Sequence, residues 1–256
     1  MSLYALLAPV YDRLFPVHPE ALPFLEKAAR LGLAARGRLE APHRAFDAGS
    51  ATGGHVLALA ARGWEADGIE PEPSMTEAAR ARAAALGLKS ARFFEGDMRD
   101  ALRLLGAGAE GSYTLGLCLG NTLPHLPDRD SLDLFLGASR RLLGDGGALA
   151  LQLLNYGRPE AGPGFAFPEL RAEALVMKRR YEAGPQGKLR FVVELDIDGK
   201  AAGSEEALLT PLSPAALGAA LSRGGFAELE LFGAWSGAPF DEGRDPYLLA
   251  VARARS

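Results

Sequence analysis

Cysteine is almost missing: Cys118 stands alone, so no intrachain disulfide can form and no thiolate pair is available for a zinc site. Within its apolar stretch it reads as a small core residue rather than a nucleophile. The four histidines, at positions 18, 43, 55 and 125, show no metal-ligand spacing, and no protein-held metal is expected. Lysine is scarce, at 5 against 23 arginines, and the formal net charge is -4, a field that repels phosphate backbones. No nucleic-acid partner is therefore expected. The one dense basic cluster, Lys178-Arg179-Arg180, reads as an exposed strand edge rather than a phosphate site. Apolar runs of about eighteen residues are also missing, so no membrane partner is expected. The apolar start lacks a basic leader region and soon meets Asp12 and Arg13, which together with the lone cysteine predicts a cytoplasmic location.

What is present is enough to fold. Apolar residues make up 48% and charged residues 23% of the chain, as in proteins that bury a sizeable core, and residues 1–256 read as one domain. The spacing of Leu22, Phe24, Leu25, Ala28, Ala29 and Leu31 predicts a helix over 19–36, within an N-terminal helical cap spanning 1–40. From Ala45 short apolar runs alternate with amphipathic stretches, which is the βα pattern of a parallel sheet. Strands are expected near 44–48, 65–69, 91–95, 112–118 and 147–154, with helices at 53–62, 74–86 and 130–143. Gly144-Asp-Gly-Gly147 is expected to close the last helix and turn the chain into its strand. The helical period then disappears between 157 and 210, where Leu189 to Ile197 alternates and Asp198-Gly-Lys supplies a turn, so an antiparallel insert is expected. A helix capped by Ser213, with Pro214 in its first turn, and strands at 226–232 and 246–253 complete the pattern. The fold class is thus α/β: a doubly wound, mostly parallel, seven-stranded Rossmann-like sheet with a small antiparallel insert after strand five.

The chemistry concentrates in Asp47-Ala-Gly-Ser-Ala-Thr-Gly53, a strand, a glycine-rich turn and the start of a helix. Free N–H groups at such a turn, with the helix dipole, favour a carboxylate or phosphate, while small residues admit a ligand to the backbone. Glu70 follows about 20 residues on, where a carboxylate accepts bonds from ribose hydroxyls. Asp97 ends the third strand, where it can accept from an exocyclic amine or cap the next helix. Asp47 beside the turn would repel a pyrophosphate but attract the ammonium of an amino acid, which favours S-adenosylmethionine over a dinucleotide. Ala51 in the middle of the turn also departs from Gly-x-Gly-x-x-Gly.

On these motifs, over roughly residues 40–155, the chain resembles the Rossmann-like S-adenosylmethionine-dependent methyltransferases. The resemblance implies cofactor contacts from Asp47, Gly49, Ser50, Ala51, Gly53, Glu70, Pro71, Met75, Asp97, Met98 and Leu119. Cys118-Leu-Gly-Asn-Thr-Leu-Pro-His-Leu-Pro-Asp128 is similar to the substrate loop of glycine N-methyltransferase and its small-molecule relatives, and Asn155-Tyr156 extends the likeness. It implies catalytic roles for Asn121, which orients an acceptor amine or ties off the loop, and for His125, a proton acceptor or a loop brace. It also implies substrate contacts from Asn155, Tyr156 and Tyr11, the last in a segment that folds over the site or joins the core. Where that enzyme holds the glycine carboxylate with an arginine, Leu154 stands here. Glycine is therefore not the expected acceptor, and Arg158, Arg180 or Arg190 would anchor any anionic group.

The expected function is transfer of a methyl group from S-adenosylmethionine to a small-molecule nitrogen or oxygen by in-line displacement, in a monomer or homodimer. The 157–210 insert would serve as substrate lid. The alternatives are a nucleotide-dependent oxidoreductase on the same fold class and a non-catalytic adenosine-binding protein.

Overall fold

A computed structural model describes residues 2–35, 37 and 43–255. Seven strands form one sheet: β1 (Arg44–Ala48), β2 (Glu65–Glu70), β3 (Ala91–Glu95), β4 (Tyr113–Cys118), β5 (Leu143–Leu154), β10 (Phe226–Phe232) and β11 (Tyr247–Ala254). Their order is β10-β11-β5-β4-β1-β2-β3. The first five strands are parallel, and β11 pairs antiparallel with both β5 and β10. The order reverses between β1 and β4, and the crevice at such a switch point, beyond the carboxyl ends of the strands, is where open α/β sheets bind ligands.

Helices cover both faces. On one side α3 (Ala21–Ala35), α4 (Gly54–Ala60) and α5 (Pro73–Ala85) pack Leu25, Leu59 and Ala79 against Leu115, Leu117 and Val251 of the sheet. On the other, α6 (Ala101–Leu105), α7 (Arg129–Leu142) and α8 (Pro214–Arg223) bury Phe135, Leu136 and Leu217 against Phe46, Tyr113 and Leu149. Each such side chain taken from water contributes roughly 1.5–3 kcal/mol. Asp128 caps α7 by accepting from the Ser131 N–H at 2.8 Å, and Ser213 caps α8 by accepting from Ala216 at 3.2 Å.

Several expectations change in detail. The glycines at 144–147 do not form a turn before β5: the strand starts at Leu143, straight after α7, and the extra residues are absorbed as a shift in the β4–β5 register between Tyr113 and Leu115. Helix α3 belongs to the sheet's helical layer rather than to a cap. Residues 1, 36 and 38–40 of the expected cap lie outside the described residues. What lies over the carboxyl ends is a pair of short helices, α1 (Leu3–Leu7) and α2 (Tyr11–Leu14).

The insert is a second sheet of four antiparallel strands, ordered β6 (Leu170–Ala172), β7 (Leu175–Ala183), β8 (Leu189–Ile197) and β9 (Lys200–Leu209). The α1–α2 pair lies between this sheet and α5, burying Leu3, Leu7, Val10 and Leu14 against Met75, Met177, Val193 and Leu195. The basic cluster in β7 is not a strand edge, because β8 pairs with it on one side and residues 165–167 bond to it on the other. Lys178 and Arg180 point one way, to Asp196 and Glu194 of β8, while Arg179 points the other way, toward Phe15 and Phe167. Among the described residues, no helix is long and apolar enough to cross a membrane.

Candidate active site

Strand β1 sits between β2 and β4 and delivers Asp47 opposite Gly68 and Leu117, just before the chain turns. The turn that follows hangs on β2: Gly49 and Ser50 both donate to the Ile69 carbonyl, at 2.8 and 3.1 Å. Gly49, Ala51 and Gly53 all take positive φ, at 80°, 47° and 80°. The glycines are required by protein neighbours as much as by a ligand. A β-carbon at Gly49 would lie 2.4 Å from the Thr122 methyl, and one at Gly53 would lie 2.5 Å from the Phe93 ring. The first contact also brings the loop after β4 against the glycine turn.

Asp47 is 3% exposed, and its Oδ1 is buried without a hydrogen-bond partner. Burial, and then the nearby Glu70 charge, raise its pKa to about 7. The Ser50 hydroxyl is likewise buried and unpartnered. A carboxylate left in this condition costs several kcal/mol unless a cation meets it, and an amino-acid ammonium does so. Glu70 accepts from the Ala51 N–H at 2.9 Å through one oxygen and from the Glu72 N–H at 3.1 Å through the other. Each oxygen keeps a lone pair for a ribose hydroxyl. Burial raises its pKa above the usual carboxylate range, against the lowering effect of those two N–H donors.

The adenine side is less open than expected. Asp97 caps the short helical turn at 98–100 by accepting from the Arg99 N–H at 2.8 Å, and the Arg99 guanidinium grips both of its oxygens at 2.8 Å. That side-chain pairing holds the Asp97 pKa below its ordinary value. An adenine amine would share this carboxylate with Arg99, a partner that no motif in the sequence signals. Met75 is 1% exposed inside the α1–α2 core, so it is packed by protein rather than left free for a base. Pro71 is exposed, Met98 packs on the core from its edge, and Leu119 is buried with its carbonyl accepting from Thr122 Oγ1 at 2.7 Å.

On the substrate side, three elements meet in one polar cluster. Asn121, at φ 64°, places its Nδ2 2.8 Å from the Tyr156 hydroxyl, while its Oδ1 accepts from the Leu154 N–H at 3.0 Å. Tyr181 of β7 brings its hydroxyl to 3.3 Å from that of Tyr156 and 3.4 Å from Asn121 Nδ2. The Asn121 carbonyl is thus tied to the end of β5 and also accepts from the Tyr156 hydroxyl at 3.1 Å, which leaves the Tyr181 hydroxyl, held only by the two longer contacts, as the least committed group of the cluster. Burial raises both phenol pKa values, so both hydroxyls stay protonated near neutral pH. Asn155 does not join the cluster. It is fully buried, and its Nδ2 donates to the carbonyls of Glu242 and Asp245 at 2.8 and 2.9 Å, which makes it a brace for the segment before β11 and withdraws it from the substrate contacts. No contact among the described residues joins His125 to the cluster either. Desolvation by its surroundings lowers its pKa, so the imidazole is neutral near pH 7.

The leading segment is clipped over the glycine turn. Asp12 accepts from Thr52 Oγ1 at 3.1 Å and pairs with Arg82 at 2.7 Å, while Arg82 also donates to the Thr52 carbonyl at 2.6 Å. Tyr11 stacks on Phe15 at 4.9 Å, and burial, followed by the Glu70 charge, raises its phenol pKa.

Residues 45–147 match a protein-family model described as a methyltransferase domain. Those residues thus form a methyltransferase domain on a Rossmann-like fold. Solved structures agree on the fold. A methyltransferase from Clostridium acetobutylicum aligns over 100% of both chains with a TM-score of 0.79 at 14% identity. The CcbJ methyltransferase of Streptomyces caelestis gives 0.71 at 24% identity, covering 91% of this chain and 96% of its own. An amino pentose methyltransferase from Micromonospora echinaspora, solved with its cofactor bound, gives 0.64 at 21% identity, covering 99% and 98%. No curated protein sequence matches the chain. The unpartnered Asp47 oxygen fits the ammonium of S-adenosylmethionine.

Proposed function

We propose that this methyltransferase alkylates a nitrogen or oxygen of a small-molecule acceptor seated between the Asn121-Tyr156-Tyr181 cluster and the glycine turn. Within this reading Asp47 and the turn hold the amino-acid end of the cofactor, and Glu70 holds its ribose. When bound, S-adenosylmethionine supplies an electrophilic methyl group. The residues of this chain have the task of aligning an acceptor lone pair and excluding water, and such positioning can lower a barrier by roughly 7–11 kcal/mol. Tyr156 and Tyr181 orient the acceptor through their hydroxyls, and Asn121 fixes the position of both. An acceptor amine that binds neutral needs no protein base. The α1–α2 pair and the insert over 157–210 close the site on two sides, the former through Asp12 and the latter through Tyr181.

The observation that carries this reading is the meeting of the β4 loop, the end of β5 and β7 at three hydrogen-bonded polar side chains, one residue from the Thr122 contact with the glycine turn. The test is formation of S-adenosylhomocysteine over pooled amines, phenols and hydroxy compounds. Tyr156→Phe and Tyr181→Phe should each lower kcat/KM about tenfold, the effect of one lost hydrogen bond, with cofactor affinity unchanged. Absence of product with every pool, or a double phenylalanine variant as active as wild type, would overturn it.

A further inference from the structure

Arg179 is a half-buried cation that, among the described residues, no carboxylate neutralises. It lies on the inward face of β7, two residues from Tyr181, and its guanidinium carbon is 5.4 Å from the Phe15 ring centre and 4.9 Å from that of Phe167. Its Nη2 donates to the Pro168 carbonyl at 3.3 Å, while its Nε is buried with no hydrogen-bond partner. Among the described residues no Asp or Glu forms an ion pair with it. The ionisable groups that bear on it are Tyr181 and Tyr11, both neutral phenols near pH 7. Every other arginine considered as an anchor is satisfied within the protein: Arg158 by Glu160, Arg180 by Glu182 and Glu194, and Arg190 by Glu206.

A half-buried guanidinium without a counter-charge is costly, and an oxyanion arriving at its exposed end would satisfy the charge. Arg179 also stands between the two halves of the site, since Tyr11 neighbours Glu70 on the cofactor side and Tyr181 belongs to the acceptor cluster. We infer that Arg179 anchors a carboxylate on the methyl acceptor, so that the substrate is a small amine or hydroxy compound bearing a carboxylate beside an apolar or aromatic body. This rests on the methyl-transfer reading of the same cleft. A single guanidinium, with no second cation bearing on it, matches one negative charge rather than the two of a phosphate monoester. The walls at Phe15 and Phe167 suit the apolar body.

The test uses benzoate and benzamide, which differ only in the charged group, as probes titrated into the protein with S-adenosylhomocysteine present. Benzoate should bind at least about tenfold more tightly than benzamide, Arg179→Leu should remove that preference, and Arg179→Lys, which keeps the charge but not the planar fork, should keep part of it. S-adenosylhomocysteine affinity should be the same in all three proteins. Equal binding of the two probes, no benzoate binding by wild type, or an unaltered preference in Arg179→Leu would overturn the inference. The comparison within wild type stands even if a variant fails to fold. If S-adenosylhomocysteine itself does not bind, the methyl-transfer reading fails instead, and the two probes titrated without it still decide the role of Arg179.

Discussion

Replacing Asp47 with asparagine should stabilise the cofactor-free protein while crippling cofactor binding. The side chain is 3% exposed with an unpartnered oxygen, and its pKa is raised to about 7. An aspartate in the unfolded chain titrates near 3.9, so the folded protein holds this proton to a much higher pH. The carboxyl takes up a proton on folding anywhere between these two values. Its stabilising contribution is therefore complete below about pH 4 and is lost as pH rises through about 7. Above that the ionised group costs about 4 kcal/mol, and near pH 5 it costs only about 1 to 2 kcal/mol, since each pH interval of one between the two values is worth about 1.36 kcal/mol. Asparagine has nearly the same shape and no charge, so Asp47→Asn should exceed wild type in denaturant melts by a few kcal/mol at pH 8 and by much less at pH 5. Buried ion pairs that lose one partner typically weaken by about 2–5 kcal/mol, so the same variant should bind S-adenosylmethionine about 30-fold to several thousand-fold more weakly. A variant no more stable than wild type at pH 8, or one whose advantage does not change with pH, would refute the reasoning.

Gly49→Ala should cost roughly 1–3 kcal/mol of stability in denaturant melts, because the backbone is left-handed there and the added carbon meets the Thr122 methyl at 2.4 Å. Adding Thr122→Ser, which removes that methyl but keeps the hydroxyl bound to Leu119, should recover part of the loss. Asp12→Ala releases the clip between α2 and the glycine turn, and limited proteolysis should then cut ahead of Leu14 faster, with S-adenosylhomocysteine affinity reduced about threefold because the pair is partly exposed.

The sheet was legible because each of its parallel strands is a short apolar run between glycine or acidic turns, and the loop from Asp47 to Gly53 carries its chemistry in adjacent residues. The insert was legible only where it alternates: Leu189–Ile197 was clear, whereas β9 is exposed along most of its length and shows no apolar period. Lys178-Arg179-Arg180 looked like one basic patch because adjacency hides the two faces of a strand, and two of its charges are neutralised by β8 while the third turns into the cleft. Tyr181 and Arg99 were invisible for a related reason, since their partners are set by tertiary contacts of β7 and by a side chain folding back on Asp97. Asn155 carried a family resemblance, yet its amide is consumed by backbone carbonyls nearly ninety residues further along the chain.

Recognition of an amino-acid headgroup by the glycine turn, through the Asp47 carboxylate, is the claim on which the cofactor site rests. Calorimetry comparing S-adenosylhomocysteine with 5′-methylthioadenosine, which keeps the nucleoside but lacks that headgroup, tests it most directly. Wild type should prefer S-adenosylhomocysteine by at least about 30-fold, the lower bound for one buried charge pair, and Asp47→Asn should reduce the preference to a few-fold. Equal affinity of wild type for the two ligands, or a preference that survives the substitution intact, would contradict the account.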